Sequence, residues 1–228
     1  MNITQCKDGN KSVKTLSLSE LVETMKDPAS GRIVKEFREK LDEYPPGYPC
    51  PGANKLPKII FGAELQKKKE AVEMKAYNGL VLLEVDNLTD YREAVEIRRK
   101  AIGSLQTLLA FIGSSRKSVK IVVPFTLPDG SLPCNRELAE WFHAHAYQLA
   151  LNYFRMQLQR EIPYRQLTVV QACRISYDPD LYYNPAAVPV TLEQPLQMPG
   201  EPTFRELKQQ EPLPLQRMEA GHERSSSV

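Results

Sequence analysis

The sequence has little of what marks several common classes of protein. It contains four cysteines in 228 residues, none with the C-x-x-C spacing typical of zinc sites, which disfavours both a zinc module and a disulfide framework. No stretch approaches the roughly 20 consecutive apolar residues of a membrane span. Residues 1–14 carry charges without an apolar run, so no secretory signal is expected. We therefore expect a cytoplasmic protein with reduced thiols and no contact with a membrane.

A large net charge is also absent. The chain has 30 Lys and Arg against 28 Asp and Glu, a formal charge of +2, and no basic run dominates one segment. Any binding of nucleic acid must therefore rest on a local site and not on overall charge. An apolar fraction of 42% with 25% charged residues fits a folded core and excludes a chain that is disordered throughout.

The hydrophobic pattern from residue 80 onward predicts a split βαβ unit. Strands are expected at 80–86, 107–112, 118–123 and 167–175, and helices at 89–102 and 135–158. The order β-α-β-β-α-β is typical of RRM-like and ferredoxin-like folds, whose helices cover one sheet face and leave the other open. We expect an α+β fold with this core and an N-terminal α/β layer, in a domain over residues 1–190. A Pro-rich, flexible C-terminal tail is expected over 191–228.

The long second helix of this unit has apolar residues at intervals of three or four. They are Leu138, Phe142, Ala146, Leu149, Tyr153 and Met156. This spacing predicts the buried face of the helix, with His145 near it as a partly buried packing residue.

Two carboxylates stand at the end of the strongest predicted strand. Side chains alternate along a strand, so Glu84 and Asp86 share one face with Leu80 and Leu82. Neighbouring carboxylates of this kind can share a divalent cation, Mg²⁺ or Mn²⁺, through oxygen ligands. The alternative is that both carboxylates are only solvated where the strand emerges.

A basic turn is expected beside these carboxylates. Alternation in the strand at 118–123 places Lys120 on the same open face as Glu84 and Asp86. The turn before it offers hydroxyl groups, backbone N–H groups and two positive charges, which suit a nucleoside triphosphate or a nucleic-acid backbone. Ser115, Lys117 and Lys120 are the candidate phosphate-binding residues. The alternative is a polar hairpin turn with solvated charges.

Three segments of the sequence resemble a known family. The most specific is Ser176-Tyr-Asp-Pro-Asp-Leu-Tyr-Tyr-Asn-Pro185, and the segments Tyr77 to Leu88 and Ile60-Phe-Gly62 match mainly in pattern. Over about residues 15–190 they resemble the VirE N-terminal domain family of Bacteroidetes mobile elements. That family is similar to a branch of the archaeo-eukaryotic primase superfamily, whose core is an RRM-like split βαβ unit. The resemblance implies a primase-polymerase-like fold, a nucleotide or nucleic acid as ligand, and association with a helicase-type protein.

The resemblance also implies three catalytic stations, which this sequence meets unevenly. The D-x-D strand that holds two metal ions is Glu84-Val-Asp86, with glutamate in the first position. The nucleotide-holding S-P-S-G-R-G-L-K segment corresponds to Gly113-Ser-Ser-Arg-Lys-Ser-Val-Lys120 and lacks both family glycines. Thr168 and Gln171 stand where the family has the third Asp and an Arg. Loss of that carboxylate removes charge that a second metal ion requires, so catalysis is expected to be impaired.

Three functions follow as hypotheses. The first is a primase-like nucleotide- or nucleic-acid-binding module of a mobile element, degenerate in catalysis. The second is an active metal-dependent primase-polymerase that uses Glu84 and Asp86 as catalytic residues and metal ligands. The third is a non-catalytic protein-interaction scaffold for a replication or mobilisation partner, because a fold does not fix a function.

Overall fold

The part of the chain that the structure describes forms four α-helices and three largely antiparallel sheets. The computed structural model describes residues 1–7, 12–44, 50, 52–69 and 71–193. The strands are β1 (Asn2–Lys7), β2 (Ser12–Ser17), β3 (Lys58–Ile60), β4 (Ala63–Lys68), β5 (Ala71–Tyr77), β6 (Leu80–Val85), β7 (Leu109–Ile112), β8 (Val119–Thr126), β9 (Ala172–Arg174), β10 (Tyr182–Tyr183) and β11 (Val190–Thr191). The α-helices are α1 (Leu18–Lys26), α2 (Arg32–Asp42), α3 (Tyr91–Ala101) and α4 (Arg136–Leu158), and a short 3₁₀ helix spans Ala53–Lys55. No helix in the described part of the chain is long and apolar enough to span a membrane.

Strand β8 organises the central sheet. It pairs antiparallel with β6 and with β7, and its end pairs parallel with β11, while β10 extends the sheet beyond β7. The register places Glu84 opposite Lys120 and Leu82 opposite Val122. The predicted α+β class and the predicted hairpin of β7 and β8 are therefore observed.

Helices α3 and α4 cover one face of the central sheet. Val81, Leu83 and Val85 of β6 point into a buried cluster that includes Ile97 of α3 and Phe142 of α4. Burial of a full aliphatic side chain contributes roughly 1.5–3 kcal/mol, so this layer is a major part of the stability. Both helices are on the face that the strand alternation indicated.

The opposite face of the sheet is covered, which corrects the expectation of an open face. Leu80 and Leu82 of β6 are buried in a second cluster with Ile59 of β3 and with apolar side chains of α1 and α2. The N-terminal layer that covers them consists of these helices and of a sheet with the strand order β2-β1-β3-β9. Only the end of the face, at Glu84 and Asp86, remains partly accessible. An N-terminal layer was expected, but not that it would close this face.

The last predicted strand differs from the structure in length and in pairing. Within 167–175 only β9 is a strand, and it pairs antiparallel with β3 in the N-terminal sheet. In a split βαβ sheet the fourth strand joins the same sheet as the first. The element order of that unit is thus present from β6 to β9, while the fourth strand belongs to the covering layer. The boundary expected after residue 190 falls within β11, and residues 194–228 of the predicted tail lie outside the described residues.

The second half of helix α4 buries a different face from the one that the apolar spacing predicts. Phe142 and Ala146 are buried as expected, but Leu149, Tyr153 and Met156 are exposed. The buried positions there are Tyr147, Ala150, Leu151, Phe154 and Leu158. His145 is partly buried as predicted and packs on Trp141, with ring centroids 4.5 Å apart. His143 is fully buried, and its Nδ1 lies 3.2 Å from the Tyr77 hydroxyl.

The burial of His143 predicts a loss of stability in acid. Burial lowers the pKa of His143 from an ordinary 6.5 to about 4. The unfolded chain therefore takes up this proton near pH 6.5, and the folded chain only near pH 4. The contribution to the free energy of unfolding is fully present above pH 6.5 and is lost as the pH falls toward 4, by up to about 3 kcal/mol.

Urea unfolding at several pH values measures this loss. We expect the His143→Gln variant, which keeps a hydrogen-bonding group beside Tyr77, to show a shallower decline between pH 6.5 and 4 than the wild type. Parallel pH profiles for the two proteins would contradict this assignment.

Candidate functional site

Four charged side chains form one ion-pair network at the accessible end of the sheet face. Glu84 and Asp86 belong to β6 and the residue after it, Lys120 to β8, and Arg165 to the irregular segment after α4. Lys120 Nζ lies 2.8 Å from Glu84 Oε1 and 3.1 Å from Asp86 Oδ1. Arg165 donates from Nη1 to Glu84 Oε2 at 2.7 Å and from Nη2 to Asp86 Oδ2 at 2.6 Å. Each carboxylate is therefore paired with both cations.

The electrostatics of the network favour the charged forms of both basic groups. Burial alone would lower the pKa of Lys120, but the attraction of Glu84 and Asp86 outweighs it and raises the pKa. Burial likewise opposes the charge of Arg165, and Asp86 and Glu84 raise its pKa in the same way. The network at neutral pH thus consists of two anions and two cations.

This network lies in the wall of a cavity of about 660 Å³, the central cavity, between the central sheet and the N-terminal layer. Its basic lining residues are Lys58, Lys120, Arg165 and Arg174, and its acidic lining residues are Glu84 and Asp86. The four basic and two acidic lining residues therefore carry a net charge of +2, and both carboxylates are already in ion pairs. A concave site of this volume with a surplus of positive charge suits a small phosphorylated ligand.

Helix α4 positions the segment that carries Arg165. Arg155 of α4 donates two hydrogen bonds to the Ile162 carbonyl, at 2.9 and 2.5 Å, and Glu140 accepts one from the Val169 N–H at 2.9 Å. The Tyr147 ring of α4 packs on Tyr164, with ring centroids 5.8 Å apart. These contacts hold a segment without regular secondary structure, so that the guanidinium reaches across to β6.

The serine-rich turn between β7 and β8 forms another part of the wall. Ser114, Ser115 and Ser118 line the central cavity, while Lys117 is exposed and is not part of the lining. Of the three predicted phosphate-binding residues, the structure brings Ser115 and Lys120 to one cavity and leaves Lys117 on the outer side of the turn. The nucleotide-binding role of all three remains a prediction.

Buried Arg38 of α2 fixes this turn to the rest of the fold. Its Nε donates to the Ser114 carbonyl at 3.0 Å, and its Nη2 lies 3.4 Å from the Gly113 carbonyl and 2.9 Å from the Tyr177 carbonyl. The same Nη2 lies 3.3 Å from Ser176 Oγ. The cavity wall is therefore tied to the motif at 176–185 through a single guanidinium.

The first residues of that motif have a structural role. Ser176 Oγ donates to the Ile112 carbonyl at 2.6 Å, and the Ile112 N–H donates to Asp178 Oδ2 at 2.8 Å. Arg98 of α3 holds both carboxylate oxygens of Asp178 at 2.7 Å. Ser176 and Asp178 thus pair the backbone at the end of β7 as a neighbouring strand would.

A divalent cation between Glu84 and Asp86 does not fit the donor set as it is arranged. Each carboxylate already binds an ammonium and a guanidinium group, and among the described residues no group of three His, Cys, Asp or Glu side chains could hold a metal ion. Mg²⁺ needs oxygen ligands that are free to coordinate it. The nearby Cys173 offers no thiolate at neutral pH, because burial raises its pKa to about 12.

Three basic residues of the central cavity were not predicted as site residues: Lys58, Arg165 and Arg174. Arg165 is 81 positions from Glu84 in the chain, and no local pattern joins the two. Arg174 is in β9 and Lys58 is in β3, and these strands pair with each other at this position. Only the pairing of β3 with β9 brings both to the cavity, and that pairing was not expected.

Comparison with known proteins gives a family for the chain. The family described as BT4734-like, N-terminal domain, matches residues 52–183, a span that contains the whole ion-pair network and the motif at 176–183. No curated protein and no solved structure matches the chain significantly. The match supports the predicted resemblance only as far as a Bacteroidetes-type domain family. It supports neither the VirE N-terminal domain family nor the primase superfamily. Because the matched span is more than half of the 228 residues, the chain belongs to the BT4734-like N-terminal domain family.

Proposed function

We propose that this domain is a primase-like nucleotide- and nucleic-acid-binding module of a mobile element that does not catalyse phosphodiester synthesis. One observation carries the proposal: the central cavity has four basic side chains around two carboxylates that are already neutralised by ion pairs. The surplus positive charge and three serine hydroxyls suit the phosphate groups of a nucleotide.

The primase-like part of the proposal rests on the element order and on the resemblance. The element order β-α-β-β-α-β from β6 to β9 is the expected one, although β9 pairs with β3 in the N-terminal sheet, and the acid pair stands at the end of the first strand of this order. Glu84 and Asp86 would be the remnants of catalytic carboxylates. A helicase-type protein partner is part of the same proposal.

Binding is assigned to electrostatic contacts made by the cavity cations. Lys120 and Arg165 each keep a carboxylate partner, while Lys58 and Arg174 have no acidic partner among the described contacts. Arg174 Nε donates to the Ala53 carbonyl at 3.0 Å, which holds the side chain and leaves the rest of the guanidinium for an anion. Arg174 is therefore the side chain whose loss tests the proposal with the least risk to folding.

Calorimetric titration of dTTP in EDTA tests the proposal. We expect the wild type to bind dTTP without metal, and the Arg174→Ala variant to bind it about tenfold more weakly. The matched control is Arg32→Ala, because Arg32 is an exposed arginine of α2 that is not part of the cavity lining. No dTTP binding by the wild type, or equal loss in the two variants, would overturn the proposal.

An active metal-dependent primase-polymerase is the second candidate. The observation in its favour is the placement of two carboxylates side by side in one cavity wall. It requires that a divalent cation displace Arg165 from them. Template-dependent incorporation of dNTP with Mn²⁺ by the wild type, lost in Asp86→Asn, would identify this activity.

A further inference from the structure

The outer side of the turn 113–117 has a cavity of its own, of about 420 Å³, which we call the second cavity. It is lined by Arg38, Tyr91, Arg116, Tyr177 and Asp178, among others. None of these residues lines the central cavity, so the two cavities lie on different sides of the same turn.

The second cavity contains a buried cation, Arg38, whose described hydrogen bonds do not include a carboxylate. Every hydrogen bond of the Arg38 side chain described above goes to a neutral oxygen, a carbonyl or the Ser176 hydroxyl. The nearest acidic group in the lining, Asp178, is engaged by Arg98. A buried charge is costly unless it is paired, so this guanidinium attracts an anion from solvent.

Arg116 adds a second guanidinium at the mouth of this cavity. It is exposed, and its backbone φ is +62°, a left-handed conformation that is uncommon for a residue with a long side chain. Burial and the neighbouring charge of Arg116 lower the pKa of Arg38, and the charge of Asp178 offsets part of this effect. Arg38 and Arg116 line one cavity, and two guanidinium groups in one cavity suit a phosphate, because an anion between them offsets the repulsion of like charges.

Two tyrosine rings flank the guanidinium pair. Tyr91, the first residue of α3, is 45% exposed, and the ring of Tyr177 is half-buried with Lys35 Nζ 4.5 Å from its centroid. An accessible aromatic ring beside a phosphate-binding arginine is the arrangement by which proteins bind single strands, since bases stack on the ring while the backbone follows the positive charge.

We propose that the second cavity binds one nucleotide unit of a single-stranded nucleic acid, with its phosphate between Arg38 and Arg116 and its base against Tyr91. The inference rests on the proposed function for the class of ligand and adds a separate subsite. The turn 113–117 lies between the two sites, because Ser114 and Ser115 line the central cavity and Arg116 lines the second. Arg38, which also lines the second cavity, donates to the Ser114 carbonyl of this turn.

Fluorescence anisotropy with a labelled oligothymidylate of about ten nucleotides tests the subsite. We expect Arg116→Ala to weaken binding about tenfold and to lower the slope of log K against log salt by about one. The matched control is Arg99→Ala, which removes an exposed arginine of α3 that is not part of the second cavity and should leave both quantities near those of the wild type.

A second variant separates the base contact from the phosphate contact. Tyr91→Leu is expected to weaken binding of the oligothymidylate about fivefold or more and to leave binding of an abasic oligomer of the same length unchanged. Equal effects of Arg116→Ala and Arg99→Ala, or of Tyr91→Leu on both oligomers, would overturn the subsite. If the wild type binds no oligomer but still binds dTTP, the subsite and the nucleic-acid part of the proposed function fail, while the nucleotide site in the central cavity stands. If Arg116→Ala acts as expected while dTTP does not bind, the subsite stands and the proposed nucleotide site in the central cavity is overturned.

Discussion

Replacement of Lys120 by methionine is expected to lower the free energy of unfolding by about 3 kcal/mol. The Lys120 side chain is only 11% exposed, and its Nζ lies 2.8 Å from Glu84 Oε1. Its removal leaves two carboxylates in the cavity wall with Arg165 as their sole counter-ion in the network. An uncompensated buried charge costs more than the ion pair itself contributes.

The control for this prediction is an ion pair in which both partners are exposed. Arg32 Nε lies 3.3 Å from Glu36 Oε1, and the two side chains are 85% and 56% exposed. Arg32→Met should therefore cost no more than about 1 kcal/mol. Urea unfolding of the two variants measures the difference directly.

A double variant shows whether the loss is due to charge. Glu84→Gln combined with Lys120→Met removes one anion with the cation, so the pair should lose less stability than Lys120→Met alone. A double variant as unstable as the sum of the two single variants would contradict the account, as would equal losses for Lys120→Met and Arg32→Met.

Replacement of Arg165 by glutamine is expected to raise the affinity of the protein for Mn²⁺ by about tenfold or more. Arg165 binds one oxygen of each carboxylate, at 2.7 and 2.6 Å, and so takes up the positions where a divalent cation would find its ligands. Its loss frees both oxygens and removes one positive charge. Electron paramagnetic resonance of unbound Mn²⁺ during a titration gives the affinity.

Two further variants make this result specific to the acid pair. Arg160→Gln also removes an arginine that is paired with a carboxylate, Glu93, outside the cavity, and should leave Mn²⁺ affinity unchanged. Asp86→Asn added to Arg165→Gln should abolish the gain. Unchanged Mn²⁺ affinity in Arg165→Gln would show that the guanidinium does not keep a cation from Glu84 and Asp86.

The local signals in the sequence predicted the elements that they describe. The spacing of Ser17 and Glu20 in the sequence is typical of a capping box, and the two side chains form one at the start of α1, with hydrogen bonds of 3.2 and 2.6 Å. Alternation along β6 and β8 placed Glu84 and Lys120 on the same face, and the register sets them opposite each other. In both cases the information lies within a few residues of the chain.

The sequence did not predict elements whose residues are equally compatible with another secondary structure or another buried face. Strand β4 is Ala63–Lys68, and its three exposed residues at 66–68 include two lysines, so its sequence has no strong strand propensity. Its partner β5 supplies the pairing that makes it a strand. In α4, apolar residues stand both three and four residues after Ala146, at Leu149 and at Ala150. Helical spacing alone therefore could not decide which of the two lies on the buried face.

The candidate site was predicted only in part because half of it depends on contacts across the fold. Strand alternation predicts the shared face of Glu84, Asp86 and Lys120. The short spacing between the strands at 107–112 and 118–123 predicts the turn that carries Ser115. Arg165 comes from an irregular segment held by α4, and Arg174 comes from a strand of the covering layer. Without these residues the acid pair indicates a metal site, and with them it is a neutralised part of a basic cavity.

Titration of dTTP into the wild type, once in EDTA and once in excess Mg²⁺, tests the central claim most directly. Mg²⁺ neutralises part of the triphosphate charge, so a cavity that binds by its own cations should bind the nucleotide equally well or more weakly when Mg²⁺ is present. The account predicts binding in EDTA with no gain from Mg²⁺. Binding that requires Mg²⁺ would contradict it and would favour the second candidate, the metal-dependent primase-polymerase in which Glu84 and Asp86 hold the cation.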